Sequence, residues 1–310
     1  MKKVFIDGSA GTTGLRILER LEKRADLELI RLAEALRKDP SARADAINAS
    51  DAAFLCLPDD AAREAAGMVA NDKTVVIDTS TAHRVCEGWE YGFPELHGRR
   101  ERIAASRRIA NPGCHASGFV ALVEPLVRAG IIARDAALTA FSLTGFSGGG
   151  KKMIADYGEH EGDVEYLGAR QYALGQAHKH LPEMVKVCSL ERAPVFAPVI
   201  APHYSGMQTT VMLPGEIVEG GIRAVENCLK EAYSGERVVR YAESSSLPAV
   251  ISSSLLTGRD DMLVSVHGND ERILAIACFD NLGKGASGAA IQNMNIALGF
   301  PETEGLELGG

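Results

Sequence analysis

The sequence has no apolar run near the ~20 residues that a membrane helix needs, no Cys-x-x-Cys pair, no internal repeat and no linker rich in Pro, Gly and Ser. These absences exclude a membrane span, a zinc ribbon and a repeat array, and no metal site is expected. A basic run is missing too. Asp plus Glu outnumber Lys plus Arg by 41 to 33, a formal net charge of −8, so neither nucleic acid nor an anionic membrane is an expected partner. The opening stretch Met1-Lys2-Lys3-Val4-Phe5-Ile6-Asp7 carries no long apolar segment and no small-residue cleavage site, so no signal peptide is expected. Six widely spaced cysteines in 310 residues fit reduced thiols in a cytoplasmic protein rather than a disulfide framework.

What is present is a change of pattern along the chain. Residues 2–7, 27–32, 52–57 and 74–77 read as strands, with helices over 12–24 and 59–70 between them. This alternation predicts parallel βαβ units and an N-terminal, doubly wound, Rossmann-type α/β domain. Beyond residue 114, strands follow strands, over 137–143, 194–202, 207–213, 237–241, 262–267 and 272–279. Helices at 151–160, 181–190 and 219–232 are few among them, which predicts an α+β domain with a mostly antiparallel sheet. Residues 285–298 return to a helical pattern.

Gly8-Ser9-Ala10-Gly11-Thr12-Thr13-Gly14 follows the first strand and opens the first helix. Small residues there let backbone approach a pyrophosphate, and the helix N-terminus supplies N–H donors. Gly8, Ser9, Gly11, Thr12, Thr13 and Gly14 are therefore candidate cofactor-binding residues, and the alternative is a tight βα turn. Arg31 ends the second strand, where a ribose 2′-phosphate would be paired, which favours NADP. Glu34, about 20 residues past the loop, is the counter-candidate for the 2′-hydroxyl of NAD.

One cysteine has an unusual address, Asn111-Pro112-Gly113-Cys114-His115. It follows a Pro-Gly punctuation and precedes a helix read over 116–129. Free N–H groups and the helix dipole at such a start favour the thiolate, the nucleophilic form. Cys56, Cys188, Cys228 and Cys278 lie in apolar or helical runs and read as small core residues. A nucleophilic cysteine needs a base. His203, in the turn Ala201-Pro202-His203-Tyr204-Ser205, is the candidate. His115 adjoins the thiol, but neighbouring residues of a helix do not face each other. His178 and His180 precede the helix start Leu181-Pro182-Glu183, a possible anion site. Gly145-Phe146-Ser147-Gly148-Gly149-Gly150-Lys151 fits all but the last position of a phosphate loop, but Lys152 stands where Ser or Thr would hold Mg²⁺, which disfavours an NTPase.

Taken together these residues resemble the N-acetyl-gamma-glutamyl-phosphate reductase family in its shorter form. Asn111-Pro112-Gly113-Cys114 is the strongest match. It is joined by residues 8–14, Asp78-Thr79-Ser80 with Arg84, Tyr91-Gly92-Phe93-Pro94-Glu95-Leu96, Ser147-Gly148-Gly149-Gly150, residues 178–183, Pro202-His203, and Asn281-Leu282-Gly283-Lys284-Gly285 through Asn295. The resemblance implies a fold similar to the aspartate-semialdehyde and glyceraldehyde-3-phosphate dehydrogenases. It divides the chain into an NADP-binding domain of residues 1–113 plus 285–310 and a catalytic and oligomerisation domain of 114–284, in a homodimer or homotetramer. It also implies NADPH-dependent reduction of N-acetyl-glutamyl 5-phosphate through a Cys114 thioester, with His203 managing protons. Ser80, Asn281 and Gly285 join the cofactor contacts, and Arg84, Lys151, His180 and Glu183 the substrate contacts. His115-Ala116-Ser117 departs from the Tyr-Pro-Thr of longer forms, and Lys151-Lys152 from their Arg. Two alternatives remain at this point: a reductase of an aspartyl or aminoadipyl phosphate, and a non-catalytic redox sensor that binds a dinucleotide.

Overall fold

The computed structural model describes residues 1–309. They form two compact units. The first comprises Met1–Pro94, Gly98–Gly113 and Ala286–Leu306; the second comprises Glu95–His97, Cys114–Gly285 and the residues from Glu307 on.

The first unit is built on six parallel strands: β1 (Lys2–Asp7), β2 (Leu27–Ile30), β3 (Ala52–Leu55), β4 (Val75–Asp78), β5 (Glu90–Tyr91) and β6 (Arg108–Ala110). Their order is β2-β1-β3-β4-β6-β5. Helices α1 (Thr12–Leu21), α2 (Pro40–Ala49), α3 (Asp59–Gly67) and α4 (Arg99–Ala105) connect them. Strand β3 is buried along its whole length, the run of apolar residues expected of a parallel strand covered on both faces. Ile17 and Leu21 of α1 join Val4, Phe54 and Ile77 in one core layer, and Ile47 and Ala65 join Phe5 and Leu55 in the other. The strand order reverses between β1 and β3, so their carboxyl ends open a crevice at a topological switch point. The sequence pattern does not predict β5, α4 and β6. They are short, and β5 is only two residues long.

The second unit holds a seven-stranded sheet of β7 (Thr139–Gly145), β8 (Arg170–Gln171), β9 (Val195–Ala201), β10 (Met207–Pro214), β11 (Val239–Tyr241), β12 (Met262–Asn269) and β13 (Arg272–Phe279), in the order β11-β12-β13-β10-β7-β9-β8. Pairings are antiparallel except β7 with β9 and β11 with β12. Helices α5 (Cys114–Arg128), α6 (Gly150–Glu159), α7 (Val164–Leu167), α8 (Leu181–Val187) and α9 (Gly221–Ala232) accompany it. Helix α5 carries Phe119, Val120, Leu122, Val123 and Leu126 at 0% exposure, and it packs on β10 and β13. At Gly118 a Cβ would come within 2.4 Å of Thr209 Oγ1, so only glycine allows that approach. Pro125 sits inside α5 and cannot donate to the Ala121 carbonyl. The Tyr233 hydroxyl donates to that carbonyl instead, at 2.5 Å, which is why the proline is tolerated in a buried helix.

The chain ends in α10 (Gly288–Leu298), whose Ala290, Ile291 and Met294 complete the first unit's core beside Ile17 and Ile77. The sequence pattern reads one helix from residue 285, but a π-helical turn over Gly283–Ser287 precedes it. The Gly285 N–H donates to the Asp280 carbonyl, and a Cβ at Gly283 would lie 2.0 Å from the Arg259 carbonyl oxygen, so a regular helical side chain does not fit there. No helix among the described residues is long and apolar enough to cross a membrane.

Candidate active site

The glycine loop leaves β1 at the switch point. Gly8 has φ +84°, and a Cβ there would lie 2.3 Å from the Cys56 carbonyl oxygen at the end of β3. A Cβ at Gly14 would lie 2.5 Å from the Gly8 carbonyl oxygen. Both glycines are required by close approach, whereas Gly11 is not strained. Gly11 is the N-cap of α1 and offers no capping side chain, so the first-turn N–H groups are left for another acceptor. The Thr12 hydroxyl is buried without a hydrogen-bond partner among the described residues. An orphaned hydroxyl and an uncapped helix start fit a pyrophosphate. Beside the loop lies a cavity of about 530 Å³, lined by Gly8, Ser9, Arg31, Glu34, Arg37 and Lys38 among others. Arg31 meets the exposed Glu22 at 2.6 Å, a surface pair of small energy that a phosphate can displace. Arg37 and Lys38 are cations of this cavity that strand-end reasoning misses, because they follow a 3₁₀ turn over Glu34–Leu36.

Asp78, at the end of β4, is fully buried and gathers its neighbours. The Ser80 N–H and hydroxyl both donate to its carboxylate, at 2.9 and 2.8 Å. His83 Nδ1 lies 2.6 Å from the same carboxylate and its ring stacks on Trp89. The Ser80 side chain is thus engaged within the first unit. Arg84 donates through Nε to the Asn111 carbonyl at 2.9 Å and through Nη2 to the Thr79 carbonyl at 3.1 Å. Asn111 in turn donates to the Ala286 carbonyl and accepts from Asn293 Nδ2, which explains the amide in the cysteine motif.

Cys114 is the first residue of α5, a fifteen-residue helix, so its sulfur sits at the positive end of the dipole. Cys114 is half-buried, while Cys188 and Cys278 are buried; all six cysteines are free thiols. Burial pushes the Cys56 and Cys278 thiols up to about 12, as expected of inert core residues. Gly285 lies against the thiol: a Cβ there would be 3.0 Å from the Cys114 Cβ.

The β-strand register brings the loops of the second unit to one edge of its sheet. Gly145 pairs with Ala201, and Met207 pairs with Thr144 and with Phe279. The loop bearing His203 is locked to the glycine-rich segment after β7. Phe146 N–H donates to the His203 carbonyl and Ser147 N–H to that of Tyr204. Asn281 secures both: its Oδ1 accepts from Gly206 N–H at 2.9 Å, and its Nδ2 donates to Ser147 Oγ at 3.0 Å. The Asn281 side chain therefore positions the His203 loop. His203 is half-buried and its Nε2 lies 3.4 Å from Ser253 Oγ. Lys151 is exposed at the start of α6. The phosphate-loop-like segment forms a 3₁₀ turn over Phe146–Gly149 with Ser147 buried, a strut under His203.

His180 and Glu183 are buried around the start of α8. His180 packs 4.6 Å from His178 and 5.7 Å from His115, ring to ring.

Comparison with known proteins gives the family and the fold. Residues 3–106 match the semialdehyde dehydrogenase NAD binding domain, and residues 114–281 match the semialdehyde dehydrogenase dimerisation domain. The chain is 42% identical to N-acetyl-gamma-glutamyl-phosphate reductase 2 of Pseudomonas putida, over 97% of this chain and 98% of that one. It is 44% identical to the N-acetyl-gamma-glutamyl-phosphate reductase of Burkholderia ambifaria, over 96% of both. The chain belongs to this reductase family. Aspartate semialdehyde dehydrogenase II of Vibrio cholerae, solved in complex with ASA, shares the fold, with a TM-score of 0.72 at 17% identity over 96% of this chain and 98% of that one. So does the Candida albicans aspartate semialdehyde dehydrogenase solved with NADP, with a TM-score of 0.68 at 16% identity over 96% and 99%.

Two features of the site escape sequence reasoning. Lys284 and Glu95 form a fully buried ion pair at 2.7 and 2.8 Å, joining two motifs that look unrelated in sequence. His115 is the other. It is 2% exposed, with Nδ1 2.8 Å from Ser142 Oγ and Nε2 2.7 Å from the Tyr172 hydroxyl.

Proposed function

We propose that this chain reduces N-acetyl-glutamyl 5-phosphate to N-acetyl-glutamate 5-semialdehyde and phosphate, using NADPH, in arginine biosynthesis. The observation that carries this reading is Cys114 as the first residue of α5, in a member of this reductase family. The Cys114 thiolate attacks the acyl carbon; the C–S bond forms, the acyl–oxygen bond to phosphate breaks, and phosphate leaves. When bound, NADPH supplies the hydride that reduces the thioester. Cys114 then departs as thiolate and frees the aldehyde. His203 holds and returns the proton that the sulfur or the substrate oxygen requires. Lys151, with its exposed ammonium, is assigned to the phosphate or carboxylate. Arg84, His180 and Glu183 complete the proposed substrate contacts, and Ser80, Asn281 and Gly285 the cofactor contacts. Arg31, Arg37 and Lys38 favour NADP over NAD, because three cations line a cavity to which Glu34 adds one carboxylate at its end of the loop.

The test is the reverse reaction. With N-acetyl-glutamate semialdehyde, turnover is expected to require phosphate, to prefer NADP over NAD by about 10-fold or more, and to lose one limb of its pH–rate profile in His203→Asn. Faster turnover with aspartate or aminoadipate semialdehyde would replace the substrate. Dinucleotide binding with no turnover on any of the three would leave a redox sensor.

We further infer that a second copy covers one face of the second unit's sheet. Phe141, Leu143, Met212 and Leu263 are only partly buried there, and Leu274, paired with Met212, is 38% exposed. The match to a dimerisation domain supports a homodimer. Met212→Glu with Leu274→Glu is expected to halve the sedimenting mass; an unchanged mass would sink this assignment. The six free thiols support a reducing, cytoplasmic setting.

A further inference from the structure

His115 follows the nucleophile, yet it points away into the sheet. It meets Ser142 there, which in turn meets Thr209, and both are at 0% exposure. Ser142 Oγ lies 2.8 Å from His115 Nδ1 and 3.0 Å from Thr209 Oγ1. On the opposite side of the ring, Nε2 lies 2.7 Å from the Tyr172 hydroxyl. The ring is also packed edge-on against Phe196 and His178, at 5.4 and 5.3 Å. Burial, reinforced by the nearby His178 and Lys179 charges, lowers its titration to about 3, so the imidazole is neutral throughout the working range.

A neutral imidazole has one donor and one acceptor nitrogen, and the network decides which. If Tyr172 donated to Nε2, Nδ1–H would donate to Ser142 and Ser142 to Thr209. The Thr209 proton would then be stranded, since among the described residues that hydroxyl has no other hydrogen-bond partner. A buried donor left unmet is costly. In the opposite sense Thr209 donates to Ser142, Ser142 to Nδ1, and Nε2–H to the Tyr172 oxygen. Every buried proton is then used, and the Tyr172 proton is left to point outward. Its one remaining neighbour, His178 Nε2, is 3.4 Å away and carries that ring's proton, because His178 Nδ1 accepts from the His180 N–H, so it cannot take the phenol proton.

We infer that His115 is a positioning residue: held by Ser142, it turns the Tyr172 hydroxyl so that its proton is donated on the Cys114 side. This rests on the reading of Cys114 as the nucleophile. Geometry ties the two: Cys114 and His115 are the first two residues of α5, and the Tyr172 hydroxyl is held 2.7 Å from His115 Nε2, beside that helix start. Burial, and then the charge of Cys114, raise the phenol above its ordinary range. The chain of hydroxyls ends in the buried Thr209, so it fixes a direction and is no conduit to solvent. A proton donated toward sulfur stabilises the thiolate.

Two variants separate the two nitrogens. The amide of His115→Asn can replace Nδ1 but not reach Tyr172; that of His115→Gln can replace Nε2. Alkylation of Cys114 by iodoacetamide, followed at the Cys114 peptide by mass spectrometry, reads the thiolate whatever the substrate is. His115→Asn and Tyr172→Phe are each expected to slow it at neutral pH by about 10-fold, equivalent to one unit in thiol pKa. The double variant is expected to be no slower than either, and His115→Gln to restore most of the rate. In turnover the same variants lower kcat more than they raise KM. Additive losses in the double variant, or equal losses in the Asn and Gln variants, would overturn the inference. Tyr172→Phe keeps the imidazole and its packing, so wild-type alkylation in that variant overturns it even if His115→Asn does not fold. Loss of alkylation control with no activity on any acyl phosphate would instead overturn only the proposed substrate.

Discussion

Replacing Cys114 by serine is expected to lower turnover by at least roughly 10³-fold, the scale on which loss of a nucleophile registers. Serine fills the same first position of α5, so the helix start and its N–H groups remain. What changes is acidity. The helix dipole can bring a thiol near neutrality, but it cannot ionise an alcohol, and no thioester can form on oxygen. Binding of NADP to the glycine loop is expected to stay within about 2-fold, because the substitution leaves that loop's glycines and the start of α1 unchanged. The measurement is a single-turnover reverse reaction, with mass spectrometry of the acylated protein alongside. A Cys114→Ser rate within about 10-fold of the wild type would end the covalent mechanism.

The largest effect on stability is expected at Glu95 and Lys284. Both side chains are at 0% exposure and their charged atoms meet at 2.7 and 2.8 Å. Removing one partner, as in Glu95→Gln or Lys284→Met, takes the opposite charge away from a buried ion and is expected to cost about 3–5 kcal/mol. Replacing both, as in Glu95→Leu with Lys284→Met, is expected to recover much of that loss, since the desolvation cost disappears with the charges. Urea unfolding of the single and double variants closes the cycle. Single variants within about 1 kcal/mol of the wild type would show that water reaches the pair. Lys284 neighbours Gly285, which lies against Cys114, so the singly charged variants are also expected to lose activity before they unfold.

How much of this was readable in the sequence depended on the range of each interaction. The glycine loop was legible because its cause is local: a strand, a positive-φ glycine and a helix start in succession. The cysteine was legible because Pro112-Gly113 and an apolar run fix a helix start at that position. Lys284 and Glu95 were not, since they are 189 positions apart and each looks like a surface charge. The bonds of the Asn281 amide to Gly206 and Ser147 were not legible either, because pattern alone does not bring those three residues together. Lys152 counted against a phosphate loop, and the fold supplies the reason: that turn braces the His203 loop. The two-residue strands β5 and β8 carry no period and exist only through their partners.

The return of α10 to the first unit has a consequence for synthesis. Ala290, Ile291 and Met294 belong to a core that also holds Val4 and Ile17, from the other end of the first unit's sequence. At about 5–20 residues per second, Val4 and Ile17 wait some tens of seconds on the ribosome before those side chains emerge. The second unit is contiguous apart from its short outlying segments and can begin to fold in that interval. The nascent chain is thus expected to mature out of order, the nucleotide-binding half closing last, with its apolar sheet face in the care of chaperones until then.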